Sequence, residues 1–225
     1  MALILSLETS ASHCAVAISD SNIILFSATW FVDQSHSRML VPLIEKALEC
    51  AEVSISDLHS IAVGSGPGSY TGLRISTSTA KGLCYGLGIP LLAIGSMENM
   101  AHQVFEKHSS EQALICIDAR RNEIYIALLD RSLQFVLPPQ AMILGTSDLV
   151  ELTNQKPTLM AGTGIEKTLA FFNHPANWKG DYSILPSAET IGILAQQKWD
   201  NGAFEDLAQF EPDYVKPVFI TAPKA

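Results

Sequence analysis

Two stretches of this 225-residue chain follow one pattern, and that repeat limits the folds open to it. LILSLETSASHCAVAISDSNIILFSA begins at Leu3, and ALICIDARRNEIYIALLDRSLQFVL begins at Ala113. Each reads as an apolar run, an acid, a polar turn, a second apolar run, a turn and a third strand. The expected strands are Ala2–Leu7, Cys14–Ser19 and Asn22–Ala28, then Ala113–Ile117, Glu123–Leu129 and Gln134–Leu137. A three-strand unit used twice predicts two related lobes. The polar run EKHSSE places the break near Glu106–Glu111, giving an N-terminal lobe over 1–106 and a smaller C-terminal lobe over 107–225.

Helical periods fall between and after these units. Leu40, Leu43, Ile44, Ala47, Leu48 and Ala51 recur at i, i+3, i+4, i+7, i+8 and i+11, with Pro42 in the first turn or kinking the helix. A strand at Ser60–Gly64, a helix over Tyr70–Gly86, a strand at Pro90–Ile94 and a helix over Ser96–Glu106 follow. In the second half a helix is expected near Thr146–Leu152, a strand at Thr158–Ala161 and a helix from Ile165. Ser187 caps a final helix ending near Gly202. The tail Glu211–Ala225 reads as irregular, with the closing segment able to pack back on the first lobe. Strands alternating with helices give an α/β class of mixed sheets covered by helices.

Charge narrows the function classes. Fourteen basic residues against 23 acidic ones give a net charge of −9. Phosphate contacts supply most nucleic-acid affinity, so a chain acting on RNA would leave the gripping to a partner. Cys14, Cys50, Cys84 and Cys116 are widely spaced without a CxxC pair, which fits a reducing compartment and excludes a zinc ribbon. No basic leader or membrane-length apolar run is present, so a soluble cytoplasmic protein is expected.

Two places invite chemistry. Glu8-Thr9-Ser10 closes the first strand, where it is either a hydrogen-bonded turn or a nucleotide-facing group; Asp118 stands at the matching place of the second unit. The loop GSGPGSYTGLR, Gly64 to Arg74, precedes a helix. It has neither phosphate-loop spacing, yet Gly66, Gly68 and Ser69 could face an anion at the helix N-terminus. The alternative is that its glycines serve close backbone approach. Gly72, Ser76, Ala80 and Cys84 then form a ridge of small residues at i+4 spacing, suited to a close helix contact inside the chain or with a partner.

The stretches GPGSYTGLRISTSTAKGLCYGLGIP, LSLETSASHCAVAI, HSRMLVPLIEKAL and IDARRNEIYIALL resemble the bacterial TsaB (YeaZ) family. EPDYVKP resembles its terminal motif, with Lys216 where arginine is expected. The resemblance implies an actin-like, two-lobed ASKHA fold and a part in making threonylcarbamoyladenosine beside the anticodon of tRNAs that read codons beginning with A. It implies a heterodimer with the related catalytic subunit TsaD, joined by the ATPase TsaE, with TsaC supplying threonylcarbamoyl-adenylate. Indirect or weak tRNA contact, no membrane and a homodimer when TsaD is absent complete the expectation. So does ATP or ADP at the junction with partners, with no tightly bound cofactor or metal.

TsaD carries a His-x-x-x-His pair, whose two imidazoles share a helix face. Alignment on Gly-Ile-Pro puts Ser96 and Met100 there, and His102 off the spacing. Ser12 and His13 replace two acids of TsaD's first loop, and His36 reads as helix-start chemistry. The chain is therefore expected to be a non-catalytic scaffold. Its expected partner-facing residues are Leu40, Leu43, Ile44 and Ala47 with Gly72, Ser76, Ala80 and Cys84. The alternatives are an independent ATPase or phosphotransferase built on Glu8 and Asp118, and a glycoprotease-like peptidase.

Overall fold

The computed structural model describes residues 2–31, 35–145, 153 and 156–216. β1 (Leu3–Glu8), β2 (Cys14–Asp20) and β3 (Ile23–Trp30) form an antiparallel meander. Then come α1 (His36–Cys50), β4 (Ser60–Gly66), α2 (Tyr70–Leu87), β5 (Leu91–Gly95) and α3 (Ser96–Lys107). β6 (Gln112–Asp118), β7 (Glu123–Asp130) and β8 (Phe135–Ile143) make the second meander. β9 (Thr158–Ala161), α4 (Ile165–Phe171), β10 (Trp178–Asp181) and α5 (Ala188–Asp200) follow. The helix expected near Thr146–Leu152 lies outside the described residues.

The repeat is a repeat of topology. The first sheet runs β3-β2-β1-β4-β5, and the second, read from its far edge, runs β8-β7-β6-β9-β10. In each, the first strand is antiparallel to the second and parallel to the fourth. Both central strands are buried nearly throughout, and their sequences are accordingly apolar runs rather than strict alternations.

Helix assignment to the lobes departs from a cut at residue 106. α3 buries Met97, Met100, Ala101, Val104 and Phe105 with residues of β6 and β7, so it belongs to the second core. α5 buries Ile191, Leu194 and Ala195 against Ile4, Ala62 and Leu92, across the first sheet. Ser187 caps it by accepting a hydrogen bond from Thr190 N. α1 and α2 cover the opposite face of the same sheet. Pro42 sits inside α1 on its exposed side, and β8 continues through Pro138 and Pro139 to Ile143 as an edge strand.

The expected partner-facing residues need correction. Leu40, Ile44 and Ala47 on α1, and Gly72, Ser76, Ala80 and Cys84 on α2, are buried within this chain, and Leu43 is half-buried. The small residues of α2 do serve close contact, but the surface they meet is the chain's own first sheet and first turn. What α1 and α2 leave outside is another set. It includes Val41, Glu45, Lys46 and Glu49, with Ser78, Gly82, Tyr85 and Gly86.

Candidate functional site

Between the two lobes lies a cleft of about 790 Å³. Ser10 and Ser12 of the β1–β2 turn, His36 of α1, and Gly68, Ser69 and Thr71 at the start of α2 line one side. Asp118 and Arg120 of the β6–β7 turn, Tyr125 and Thr163 line the other, with Met100 and Pro186 also at the wall. Of the seven residues expected to face an anion, Ser10, Gly68, Ser69 and Asp118 line this cleft. Glu8, Thr9 and Gly66 do not.

Their removal has a local cause: the glycine loop is clamped onto the first turn. Ser69 N donates to Ser10 O at 2.7 Å, and the Thr9 hydroxyl donates to Gly72 O at 2.7 Å. A methyl group on Gly72 would overlap the Thr9 carbonyl oxygen. Gly66 has φ +104° and packs against the Asp213 carbonyl of the C-terminal segment, so its conformation and its contact both favour glycine. Ser69 also caps α2, accepting from Gly72 N at 3.2 Å. The loop is thus held in place by packing, with Gly68 and Ser69 left at the cleft wall.

Glu8 is completely buried. Its Oε1 accepts from Ser10 N at 2.5 Å, whereas Oε2 has no hydrogen-bond partner among the described residues and faces Gly64. Burial pushes its carboxyl above the ordinary 4.5, against the pull of the Ser10 hydrogen bonds and of His13. His13 is also buried and donates from Nε2 to Pro186 O at 2.8 Å. His36 donates from Nε2 to the carbonyls of Ala11 and His13, both at 3.0 Å, so it fixes the turn from the start of α1.

Asp118 is engaged differently. Its Oδ1 accepts from Lys167 Nζ and from Arg120 N, each at 2.8 Å. Partial burial acts to raise its pKa, but Lys167 and the Arg120 N–H outweigh it and hold the carboxyl below its ordinary value. Glu8 and Asp118 thus do not form a pair across the cleft: one is inside the first lobe and the other is neutralised by a lysine. Two residues at this site were not singled out by the sequence: Lys167, and Thr163, whose hydroxyl accepts from Asp118 N at 3.1 Å. The turn Gly162-Thr163-Gly164 is the available signal, since it follows β9 as the longer glycine loop follows β4.

Ser96 and Met100 are buried, and Ser96 Oγ donates to Ser10 Oγ at 3.3 Å. Among the described residues no group of three His, Cys, Asp or Glu side chains is placed to hold a metal ion. Burial pushes the Cys14 and Cys84 thiols up to about 11 and Cys116 to about 12, which leaves them weak nucleophiles. Cys50, the last residue of α1, is exposed.

Residues 31–217 match the family model of TsaD, tRNA N6-adenosine threonylcarbamoyltransferase. The chain is 30% identical over 222 residues to the tRNA threonylcarbamoyladenosine biosynthesis protein TsaB of Escherichia coli K12, covering 95% of this chain and 94% of that protein. This chain belongs to the TsaB family. The Buchnera aphidicola (Schizaphis graminum) TsaB is 32% identical over 55% of this chain, a match that spans 58% of that relative's length. The Haemophilus influenzae TsaB is 31% identical over a match that spans 54% of its length.

A Pseudomonas aeruginosa crystal structure described as similar to peptidase YeaZ superposes with a TM-score of 0.84 at 26% identity. That superposition covers 96% of this chain and all of the other. An activator of 2-hydroxyisocaproyl-CoA dehydratase from Clostridium difficile, solved with bound ADPNP, superposes with a TM-score of 0.53 at 10% identity, covering 89% and 97% of the two chains. That likeness is one of fold. No described helix is long and apolar enough to cross a membrane.

Proposed function

We propose that this chain is a non-catalytic subunit in the synthesis of threonylcarbamoyladenosine in tRNA, pairing with a TsaD catalytic subunit. Family membership supports the pathway. The cleft supports the division of labour: the acid that ends β1 is inside the core, its counterpart is bound to Lys167, and the resemblance aligns the buried Ser96 and Met100 with TsaD's histidines. TsaE, and ATP or ADP, would join at the junction between subunits, where Arg120, Ser12, Ser69 and Thr71 of the cleft are exposed. The net charge of −9 leaves the principal tRNA contacts to the partners.

The docking surface in this reading is the outer face of α1 and α2. Tyr85 is 83% exposed and Val41 50%. Beside Tyr85, added side chains at Gly82 and Gly86 would meet open space. Glycines that no internal contact requires let another helix approach closely, while Tyr85 supplies contact area. The same face would pair two copies of this chain when TsaD is absent.

Reconstitution with TsaC, TsaD, TsaE, threonine, bicarbonate, ATP and unmodified tRNA tests the assignment. Modified tRNA should accumulate with this chain present and fail to accumulate when it is omitted. Equal product without it would refute the role.

A further inference from the structure

Two backbone crossings join the lobes, and each contributes a residue to the cleft wall, Met100 and Pro186. α3 leads directly to β6, and residues 182–187 lead from β10 to α5. They are tied together: Asn99 Nδ2 donates to Ser187 O at 2.8 Å, Ser187 N donates to Asn99 Oδ1 at 3.0 Å, and Gln103 donates to Leu185 O at 2.8 Å. These hydrogen bonds fix the two crossings to each other.

The segment after α5 makes a third connection, through a side chain. It first covers the β5 edge, where Glu205 N donates to Leu91 O at 2.9 Å. It then runs along α2, where Lys81 Nζ donates to Ala208 O and Phe210 O at 3.2 and 3.1 Å. Asp213 N reaches Ser65 O at 2.8 Å, and the Tyr214 ring lies 4.8 Å from that of Tyr70, with Arg74 Nε donating to its hydroxyl. All of these contacts are to the first lobe. Shortly afterwards the chain turns sharply, and Lys216 forms an ion pair with Glu123 at the start of β7 in the second lobe. Glu123 adjoins the Asp118–Arg120 turn that lines the cleft, and Tyr70 lines it from the other side.

The turn itself is strained. Val215 has φ +59°, a left-handed conformation that a β-branched residue avoids. It is held by its N–H on Asp213 Oδ1 at 2.8 Å and by Lys216 N on Tyr214 O at 2.6 Å. Such strain persists where surrounding contacts over-determine it.

We propose that residues 205–216 are a clasp that sets the opening of the inter-lobe cleft, with the Lys216–Glu123 pair as its catch. The segment is anchored along its length on the first lobe and crosses to the second through that side chain. A partly exposed ion pair adds little to stability, so its effect belongs to geometry and not to the melting temperature.

The test is the distance between spin labels on the two rims, at Ser37 of α1 and Asn122 of the β6–β7 turn. The full-length chain would carry Cys50→Ser and be diluted with unlabelled chain, so that only distances within one molecule are read. The unmodified clasp should give one narrow distribution. Lys216→Glu should lengthen and broaden it, and Lys216→Glu combined with Glu123→Lys should restore it. An unchanged distribution in Lys216→Glu would overturn the proposal, as would failure of the exchanged pair to restore the narrow one.

Discussion

Glu8 holds its whole carboxyl group inside the protein, one oxygen on Ser10 N–H and the other against the Cα of Gly64. An acid in that position binds its proton more tightly folded than unfolded, because burial penalises the charge. The stabilisation is fully present below the unfolded value near 4.5 and is lost as pH rises through the higher folded value. Glu8→Gln keeps an oxygen for Ser10 and removes the titration. The difference in denaturation midpoint, Gln variant minus wild type, should therefore grow in the variant's favour from pH 4.5 upward. A difference independent of pH would contradict this account of Glu8.

The sequence showed the acid and its place at the strand end, but not its exposure. That depends on Gly64 being on the neighbouring strand, a long-range contact. For the same reason Asp118 looked equivalent and is not, since Lys167 reaches it from α4.

Along α2 the same residue type has opposite uses on opposite faces. Gly72 touches the Thr9 carbonyl, whereas Gly82 faces open space. Gly72→Ala should destabilise the protein by about 1–3 kcal/mol through overpacking. Gly82→Ala should stabilise it by up to about 1 kcal/mol through helix propensity. Urea melts of the two variants read both signs at once. The period of small residues was plain in the sequence, as was their purpose of close approach. What periodicity cannot tell is which of two small-residue faces turns inward, and here it is the Gly72–Ser76–Ala80–Cys84 face. The consequence separates two tryptophan variants. Ala80→Trp places an indole in a fully buried site and should unfold the monomer. Gly82→Trp should leave it folded and block association with TsaD on size exclusion. Normal complex formation by a folded Gly82→Trp would place the interface elsewhere.

For the whole molecule, the repeat carried the architecture, because two βββ units with matching turns can bury their apolar runs only as two equivalent sheets. The crossing of elements between lobes was not legible. α3 follows the first sheet in sequence yet packs on the second, and α5 does the reverse, since an amphipathic stripe does not name the surface that covers it. The strand β10, four residues reading Trp-Lys-Gly-Asp, has too little apolar pattern to be seen beforehand; its parallel pairing with β9 makes it a strand. The clasp, which joins residues far apart in sequence by one lysine and a strained turn, is likewise a product of the assembled fold.

The proposed division of labour leaves the chemistry to TsaD and gives this chain a docking role on the outer face of α1 and α2. The most direct measurement is the initial rate of threonylcarbamoyl transfer to tRNA in the reconstituted system, with Gly82→Trp replacing the natural chain at equal concentration and equal thermal stability. The account predicts that the rate falls to that seen with the chain omitted. A folded Gly82→Trp that supports the full rate would contradict it.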